Sequence, residues 1–275
     1  MHQKKVVNFS LESHQFQHES CRAAYFDRGS GIPIVMLHGF MGEASDWNSL
    51  SEIIGDRYRC IALDLLGFGE SEKPRIQYDI AIEVAFVRRF VETLDLDPFY
   101  LLGHSFGAWV SSAYTLQFPE FVKGLILAGP AGIRDDRFCG RYDYLRPLFW
   151  ETPIIDWGLN IADGVSRAIG KKAEIEKIKW YRRELMNQPV ARSFLASRLR
   201  PEDAIDTVEN EIYQIAQPTL VIAGELDETI PLWHSQTYAD KIPNAELVVI
   251  PGADHSLPQK YAPQMAEAIE HFLGG

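Results

Sequence analysis

Residues 99–117 read FYLLGHSFGAWVSSAYTLQ, and Pro119 follows two positions later. The opening FYLL has the apolar density of a buried strand, whereas the run after Ser105 carries no helix breaker until that proline. Gly103-His104-Ser105-Phe106-Gly107 must therefore carry the chain from strand to helix in one sharp turn. Such a turn strains the serine backbone, and only glycine lets the neighbouring strand and helix approach so closely. The strain exposes the serine hydroxyl, with a helix N-terminus behind it that favours developing negative charge. Ser105 in this G-x-S-x-G spacing is accordingly a candidate nucleophile; the alternative is a plain helix N-cap serine.

Outward from this turn, short strand-like runs alternate with longer helical patterns. That alternation predicts an α/β fold, with a mostly parallel central sheet and helices on both faces. Strands are expected at Val6–Ser10, Arg22–Asp27, Pro33–Leu37, Tyr58–Leu63, Phe99–Leu102, Val122–Ala128, Thr219–Ala223 and Ala245–Ile250. The first two leave no room for a crossover helix between them and predict an antiparallel N-terminal edge. Helices are expected over Asp46–Ile54 and Asp79–Leu94, after Ser105, from Leu232 and from Pro258. The second of these places Ile82, Phe86, Val87, Phe90, Val91 and Leu94 at helical spacing.

Between about Ala131 and Val208 the rhythm breaks. No strand signal stands out, and bulky aromatics accumulate: Phe138, Tyr142, Tyr144, Phe149, Trp150, Trp157, Trp180, Tyr181 and Phe194. This predicts a helical cap, residues 131–208, inserted into one α/β core made of residues 1–130 and 209–275.

A serine is a weak nucleophile at its own pKa and needs a base. Of the eight histidines, His2, His14 and His18 lie in the N-terminal arm, and His234 and His271 lie on helical patterns, where both are expected at the surface. His38 and His104 sit inside glycine turns, which they are expected to shape. His255 follows the strand AELVVI in the loop PGADHS. Sites in open α/β sheets gather beyond the carboxyl ends of strands, so His255 is the expected base. The third member of a triad is an acid at another strand end, between the serine and the histidine in sequence. TLVIAGELDETIP offers Glu225, Asp227 and Glu228 there. Acyl transfer also needs donors for an oxyanion. The backbone N–H groups of Phe106, which follows the nucleophile, and of Phe40, in the His38-Gly39-Phe40 turn, are the expected pair.

Taken in order, HGFMGEASDW, DLLGFGES, GHSFG, GELDETIP and GADHS resemble the motifs of the α/β-hydrolase superfamily over nearly the whole chain. The resemblance implies the serine-nucleophile branch of that fold with a helical cap, and it selects Asp227 as the acid behind His255. It also implies that Asp64, Gly67, Gly69 and Ser71 of the second motif are structural. Haloalkane dehalogenases and epoxide hydrolases of the same superfamily imply an aspartate nucleophile, which Ser105 argues against. Esterases, thioesterases, amidases, perhydrolases and carbon–carbon bond hydrolases remain. GPAG after Ala128 resembles the meta-cleavage-product hydrolases, from which His104 departs: that group often has serine or asparagine there. HGFMG is also similar to the lyase of menaquinone synthesis.

Composition narrows the partners. A chain of 275 residues that is 46% hydrophobic can bury a substantial core. A net charge of −11 works against nucleic-acid binding, which leans on clustered Lys and Arg. No run of 18 apolar residues predicts a membrane span. Cys21, Cys60 and Cys139 are odd in number and far apart, which argues for a reducing compartment. The start MHQKKVVNFSLESHQFQ has no apolar signal core, so a cytoplasmic location is expected. No Cys/His cluster of zinc type occurs; neither metal nor organic cofactor is expected. Residues 131–200 hold 14 Lys/Arg against 9 Asp/Glu. That excess solvates a helical surface, or alternatively attracts an anionic substrate.

The expected activity is hydrolysis of a small or medium carboxylic ester, or a related acyl compound, through an acyl-enzyme. The same groups acting as acid and base on a carbon–carbon bond are a second possibility, in which Arg182 or Arg183 would grip a substrate carboxylate bidentately. A ligand sensor on this fold is a third. Oligomeric state is not encoded in any motif.

Overall fold

The computed structural model describes residues 3–12, 17–96, 98–136, 147–148, 150, 152–168, 170–190, 193–194 and 206–274. Phe138, Cys139, Tyr142, Tyr144, Phe149, His2 and His14, and the side chain of His18, lie outside the described residues. The chain forms two compact units. The first comprises Met1–Glu72, Asp79–Arg134 and Asp206–Gly275, the second Lys73–Tyr78 and Asp135–Ile205.

The first unit is built on one eight-stranded sheet. Its strands are β1 (Lys5–Glu12), β2 (Gln17–Arg28), β3 (Ile32–Leu37), β4 (Tyr58–Leu63), β5 (Phe99–His104), β6 (Val122–Ala128), β7 (Thr219–Gly224) and β8 (Ala245–Ile250). They lie in the order β1-β2-β4-β3-β5-β6-β7-β8. β2 alone runs against its neighbours, pairing antiparallel with both β1 and β4; every pair from β4 to β8 is parallel. The mostly parallel sheet with an antiparallel N-terminal edge is therefore as expected.

β1 and β2 run longer than the apolar alternation predicts. Their polar ends, such as Glu12 opposite Gln17, still pair, because an edge hairpin open to solvent needs no apolar residue to continue its ladder. β5 also runs on through Gly103 and His104, whose ladder partners are Leu127 and Ala128.

The buried strands alternate between two covered faces. Ile34, Met36, Cys60, Ala62 and Leu102 enter a cluster with Leu50 and Ile54 of α1 (Asn48–Ile54) and Met265 and Ile269 of α8 (Ala262–Gly274). The intervening Val35, Leu37, Ile61, Leu63 and Leu101 are fully buried as well. A period of two with both phases buried means helices on both sides of the sheet. On the second side, α2 (Ile80–Thr93) packs on α3 (Phe106–Gln117). Asp79 caps α2 by accepting the Ile82 N–H at 2.9 Å. The helix expected over Asp46–Ile54 begins as a single 3₁₀ turn at Ala44–Trp47. After β7 comes α6 (Leu232–Lys241). The final helix is interrupted: α7 (Leu257–Lys260) and α8 are separated at Tyr261. Pro263 has no N–H to continue the ladder across that point.

Between Ala131 and Val208 the described residues contain helices and no strand. α4 (Pro153–Ala168) and α5 (Lys172–Asn187) pack on each other in the second unit. Arg182 fastens them. Its Nε and Nη2 donate to the Asp156 carboxylate at 3.1 and 2.9 Å, and its Nη1 donates to the carbonyls of Leu148 and Trp150 at 2.6 and 2.8 Å. None of the described helices is long and apolar enough to cross a membrane.

Candidate active site

The sheet order reverses direction at β3. β4 lies on one side of it and β5 on the other, a switch point of the kind at whose strand carboxyl ends open α/β sheets place their sites. Four loops of the first unit meet there, after β3, β5, β7 and β8.

Ser105 lies between β5 and α3 at φ 53°, ψ −113°, a left-handed conformation costly for a residue with a Cβ. The turn is held by the Ser105 N–H, which donates to the Ala128 carbonyl at 2.9 Å, and by the Ser105 carbonyl, which accepts from Ala108, Trp109 and Ala131 at 3.1–3.2 Å. Glycine is required on both sides of it. A Cβ on Gly103 would stand 2.4 Å from the Gly107 carbonyl oxygen, and one on Gly107 would stand 2.2 Å from that of Leu37. The strand–turn–helix reading of residues 99–117 rests on this close approach.

The side chains of Ser105, His255 and Asp227 form one hydrogen-bonded row. His255 Nε2 lies 3.0 Å from Ser105 Oγ, and His255 Nδ1 lies 2.7 Å from Asp227 Oδ2. With Nδ1–H donated to the carboxylate, Nε2 of the neutral ring is left to accept from the serine hydroxyl. The other carboxylate oxygen of Asp227 accepts two backbone N–H bonds, from Thr229 at 2.9 Å and Ile230 at 2.8 Å. Asp227 is thus buried and fully partnered. A short Asp side chain reaching the N–H two residues on is local turn chemistry. That signal distinguishes Asp227 from Glu225, whose longer chain accepts the Gly252 N–H instead.

The loop after β3 lies against the same serine. A Cβ on Gly39 would come within 3.4 Å of Ser105 Cβ. Phe40 is the next residue, and its ring packs edge-on against that of Phe106, with centroids 5.8 Å apart. Phe68 closes this aromatic trio at 5.9 and 6.0 Å. The loop is braced from behind. Lys4 Nζ donates to Glu43 at 3.0 Å and to Asp64 at 2.8 Å, while Asp64 accepts the Ala44 N–H at 2.6 Å and the Glu70 N–H at 2.8 Å. Ser71 Oγ donates to the Asp64 carbonyl at 2.6 Å and accepts the Ala24 N–H at 3.0 Å.

The two turn histidines are buried, and so, contrary to the expectation of a surface position, is His234 in the first turn of α6, whereas His271 is exposed as expected. His38 Nδ1–H donates to the Gly39 carbonyl at 2.7 Å, and its Nε2 accepts the Leu65 N–H at 3.0 Å. Burial holds its pKa below the ordinary histidine value. His104 Nε2–H donates to the His255 carbonyl at 2.9 Å. Burial first, and then the neighbouring His255, push the His104 pKa down to about 3.

Two features have no counterpart in the sequence reading. Gly129, after β6, approaches the Asp227–His255 pair so closely that a Cβ there would lie 3.4 Å from Asp227 Oδ2. Lys4 lies in the N-terminal arm, 60 residues before Asp64 along the chain, with no motif linking the two. Among the described residues, no three His, Cys, Asp or Glu side chains cluster as metal ligands. In the second unit, the Arg182 fork that would grip a substrate carboxylate already grips Asp156.

A family model described as alpha/beta hydrolase fold matches residues 32–258. The chain is 28% identical over 273 residues to a 2-hydroxymuconate semialdehyde hydrolase from Pseudomonas sp. (strain CF600), covering 92% of this chain and 90% of that protein. Among solved structures, a thermophilic esterase from Thermogutta terrifontis superposes with a TM-score of 0.76 at 23% identity, covering 98% of each chain. A meta-cleavage product hydrolase from Pseudomonas fluorescens IP01 superposes with a TM-score of 0.70 at 24% identity, covering 92% of this chain and 94% of the other. At those identities the two superpositions show a shared fold and nothing narrower.

Proposed function

The chain belongs to the alpha/beta hydrolase fold family, and from that premise we propose that it is a serine hydrolase that cleaves an acyl compound through an acyl-enzyme on Ser105. One observation carries the proposal: the hydroxyl of a strained serine stands 3.0 Å from a histidine whose far nitrogen is held at 2.7 Å by a buried carboxylate.

In this reading Ser105 Oγ attacks the substrate carbonyl carbon while His255 Nε2 takes its proton. Asp227 fixes the ring tautomer and stabilises the imidazolium. The backbone N–H groups of Phe40 and Phe106 receive the oxyanion. Collapse of the tetrahedral adduct expels the leaving group, which takes the proton back from His255. A water molecule then gives a proton to His255 and attacks the acyl carbon, releasing the acid and restoring Ser105.

For an ester the leaving group is an alkoxide, and this is the substrate class we put first. Cleavage of a carbon–carbon bond beside a carbonyl is the second reading, favoured by the 2-hydroxymuconate semialdehyde hydrolase among the relatives. There the same His255 proton goes to a carbon leaving group.

The test is turnover of two substrate sets by wild-type chain and by Ser105→Ala. One set is p-nitrophenyl esters of increasing acyl length; the other is ring-fission products carrying a dienoate beside a ketone. Ester turnover that falls at least ~10³-fold in the variant is expected. Turnover of the ring-fission set alone moves the chain to carbon–carbon chemistry. Tight binding without turnover of either set, by folded protein, contradicts the hydrolase reading.

A further inference from the structure

His104 is the last residue of β5 and the immediate neighbour of Ser105, and its ring bonds to the main chain of His255 and to none of the three side chains of the reacting row. The residue is 5% exposed. Since a carbonyl oxygen only accepts, the 2.9 Å contact with the His255 carbonyl fixes the hydrogen of the neutral His104 ring on Nε2. The opposite nitrogen faces the loop after β3, where a Cβ on Gly39 would stand 2.9 Å from His104 Nδ1. The rings of His104 and His255 lie 4.9 Å apart at 40°. One imidazole therefore touches both the loop that carries His255 and the loop that carries Phe40.

His255 itself sits in a loop, and both side-chain partners of its ring belong to the reacting row. Those bonds hold the far end of the His255 side chain and leave its main chain to be held by other contacts. The His104 donor is an anchor outside the row. We infer that His104 is a positioning residue: its Nε2–H holds the His255 backbone where Nε2 of His255 meets Ser105 Oγ, and its ring sets the spacing between the base and the oxyanion loop. This rests on the proposed roles of Ser105 and His255. An uncharged ring also suits the place. His38 and His255 are the titratable groups that bear on it electrostatically. A cation at His104 would oppose the imidazolium that forms on His255 in each cycle.

The experiment compares wild type with His104→Phe, His104→Gln and His104→Asn. Phenylalanine keeps the ring and loses the donor. Glutamine carries an amide N–H at about the distance of Nε2, and asparagine falls short of it. The readout is inactivation by a fluorophosphonate, resolved into its maximal rate and half-saturating concentration, with the labelled residue identified by mass and thermal stability measured alongside. A displacement of about 1 Å in a reacting group costs roughly 10²-fold. His104→Phe is accordingly expected to lower the maximal rate by about that factor with little change in half-saturation, and His104→Gln to recover most of it. A full maximal rate in His104→Phe, or equal losses in His104→Phe and His104→Gln, would overturn the role of His104. If His104→Phe does not fold, His104→Asn takes its place: slow labelling against fast His104→Gln is expected, and equal rates overturn the role. A wild-type chain that is not labelled at Ser105 overturns the hydrolase reading beneath it.

Discussion

Glu83 is a carboxyl group buried completely on α2. One of its oxygens accepts the Leu66 N–H at 3.2 Å; the other has no hydrogen-bond partner among the described residues. Burial raises its pKa well above 4.5, and the nearby Asp79 adds to the rise. The unfolded chain releases this proton at about 4.5 while the folded chain keeps it. Its contribution to stability is therefore complete below 4.5 and is lost as pH rises toward the folded-state pKa. Glu83→Gln keeps an acceptor for Leu66 without the ionisation. The variant should unfold at higher denaturant than wild type at pH 8. Its advantage should shrink by at most about 1.4 kcal/mol per pH unit on the way down to pH 5. Equal stability of the two chains at every pH would show that Glu83 is not held neutral. His104 has the opposite sense. The unfolded ring takes up a proton near 6.5 that the folded ring refuses down to about 3, so its contribution is lost as pH falls through that window. At this scale the sequence was informative for Ser105 and His255, whose position at strand ends is a matter of chain order. It was silent on Lys4, Gly129 and the His104 bond to the His255 carbonyl, because each joins segments with no periodic or motif relation along the chain.

The element on which the site depends is the β5–α3 turn. Gly107 lets α3 pass so close to β3 that the Leu37 and His38 carbonyl oxygens would lie 2.2 and 2.5 Å from an added methyl. Both atoms are backbone of a central strand end and cannot rotate aside. Gly107→Ala should therefore cost ~1–3 kcal/mol in urea unfolding, the range for an overpacked interior. It should also slow fluorophosphonate labelling, because the loop proposed to receive the oxyanion follows Leu37 directly. Unchanged stability would mean that the elbow is looser than this geometry. Strand–turn–helix patterns of this kind read well from sequence because the period of the apolar residues changes at the turn. Boundaries read less well where polar residues extend an edge hairpin, as at Glu12 and Gln17, or where a proline splits a helical pattern, as at Pro263.

For the whole molecule, one sheet brings together residues as distant in sequence as Phe40, Ser105, Asp227 and His255. β3 is the hinge of that convergence, since the chain crosses to β4 on one side before returning to β5 on the other. The mostly parallel sheet was legible as a fold class from the alternation of strands and helices; the strand order itself was not. The antiparallel β1–β2 edge was legible as well; the antiparallel pairing of β2 with β4 was not, because antiparallel partners leave the same alternation as any half-buried strand. The second unit, with its Arg182–Asp156 fastening of α4 to α5, could be anticipated from sequence only as a helical stretch. Its side-chain pairs are matters of packing that no motif encodes.

The most direct test of the account is the identity of the residue that a fluorophosphonate modifies. Intact mass and peptide mapping should show one adduct per chain, on the peptide containing Ser105. It should be absent in Ser105→Ala and formed at least ~10³-fold more slowly in His255→Gln. An adduct on any other residue, or none on the folded wild-type chain, would contradict the claim that Ser105 is the nucleophile of this fold.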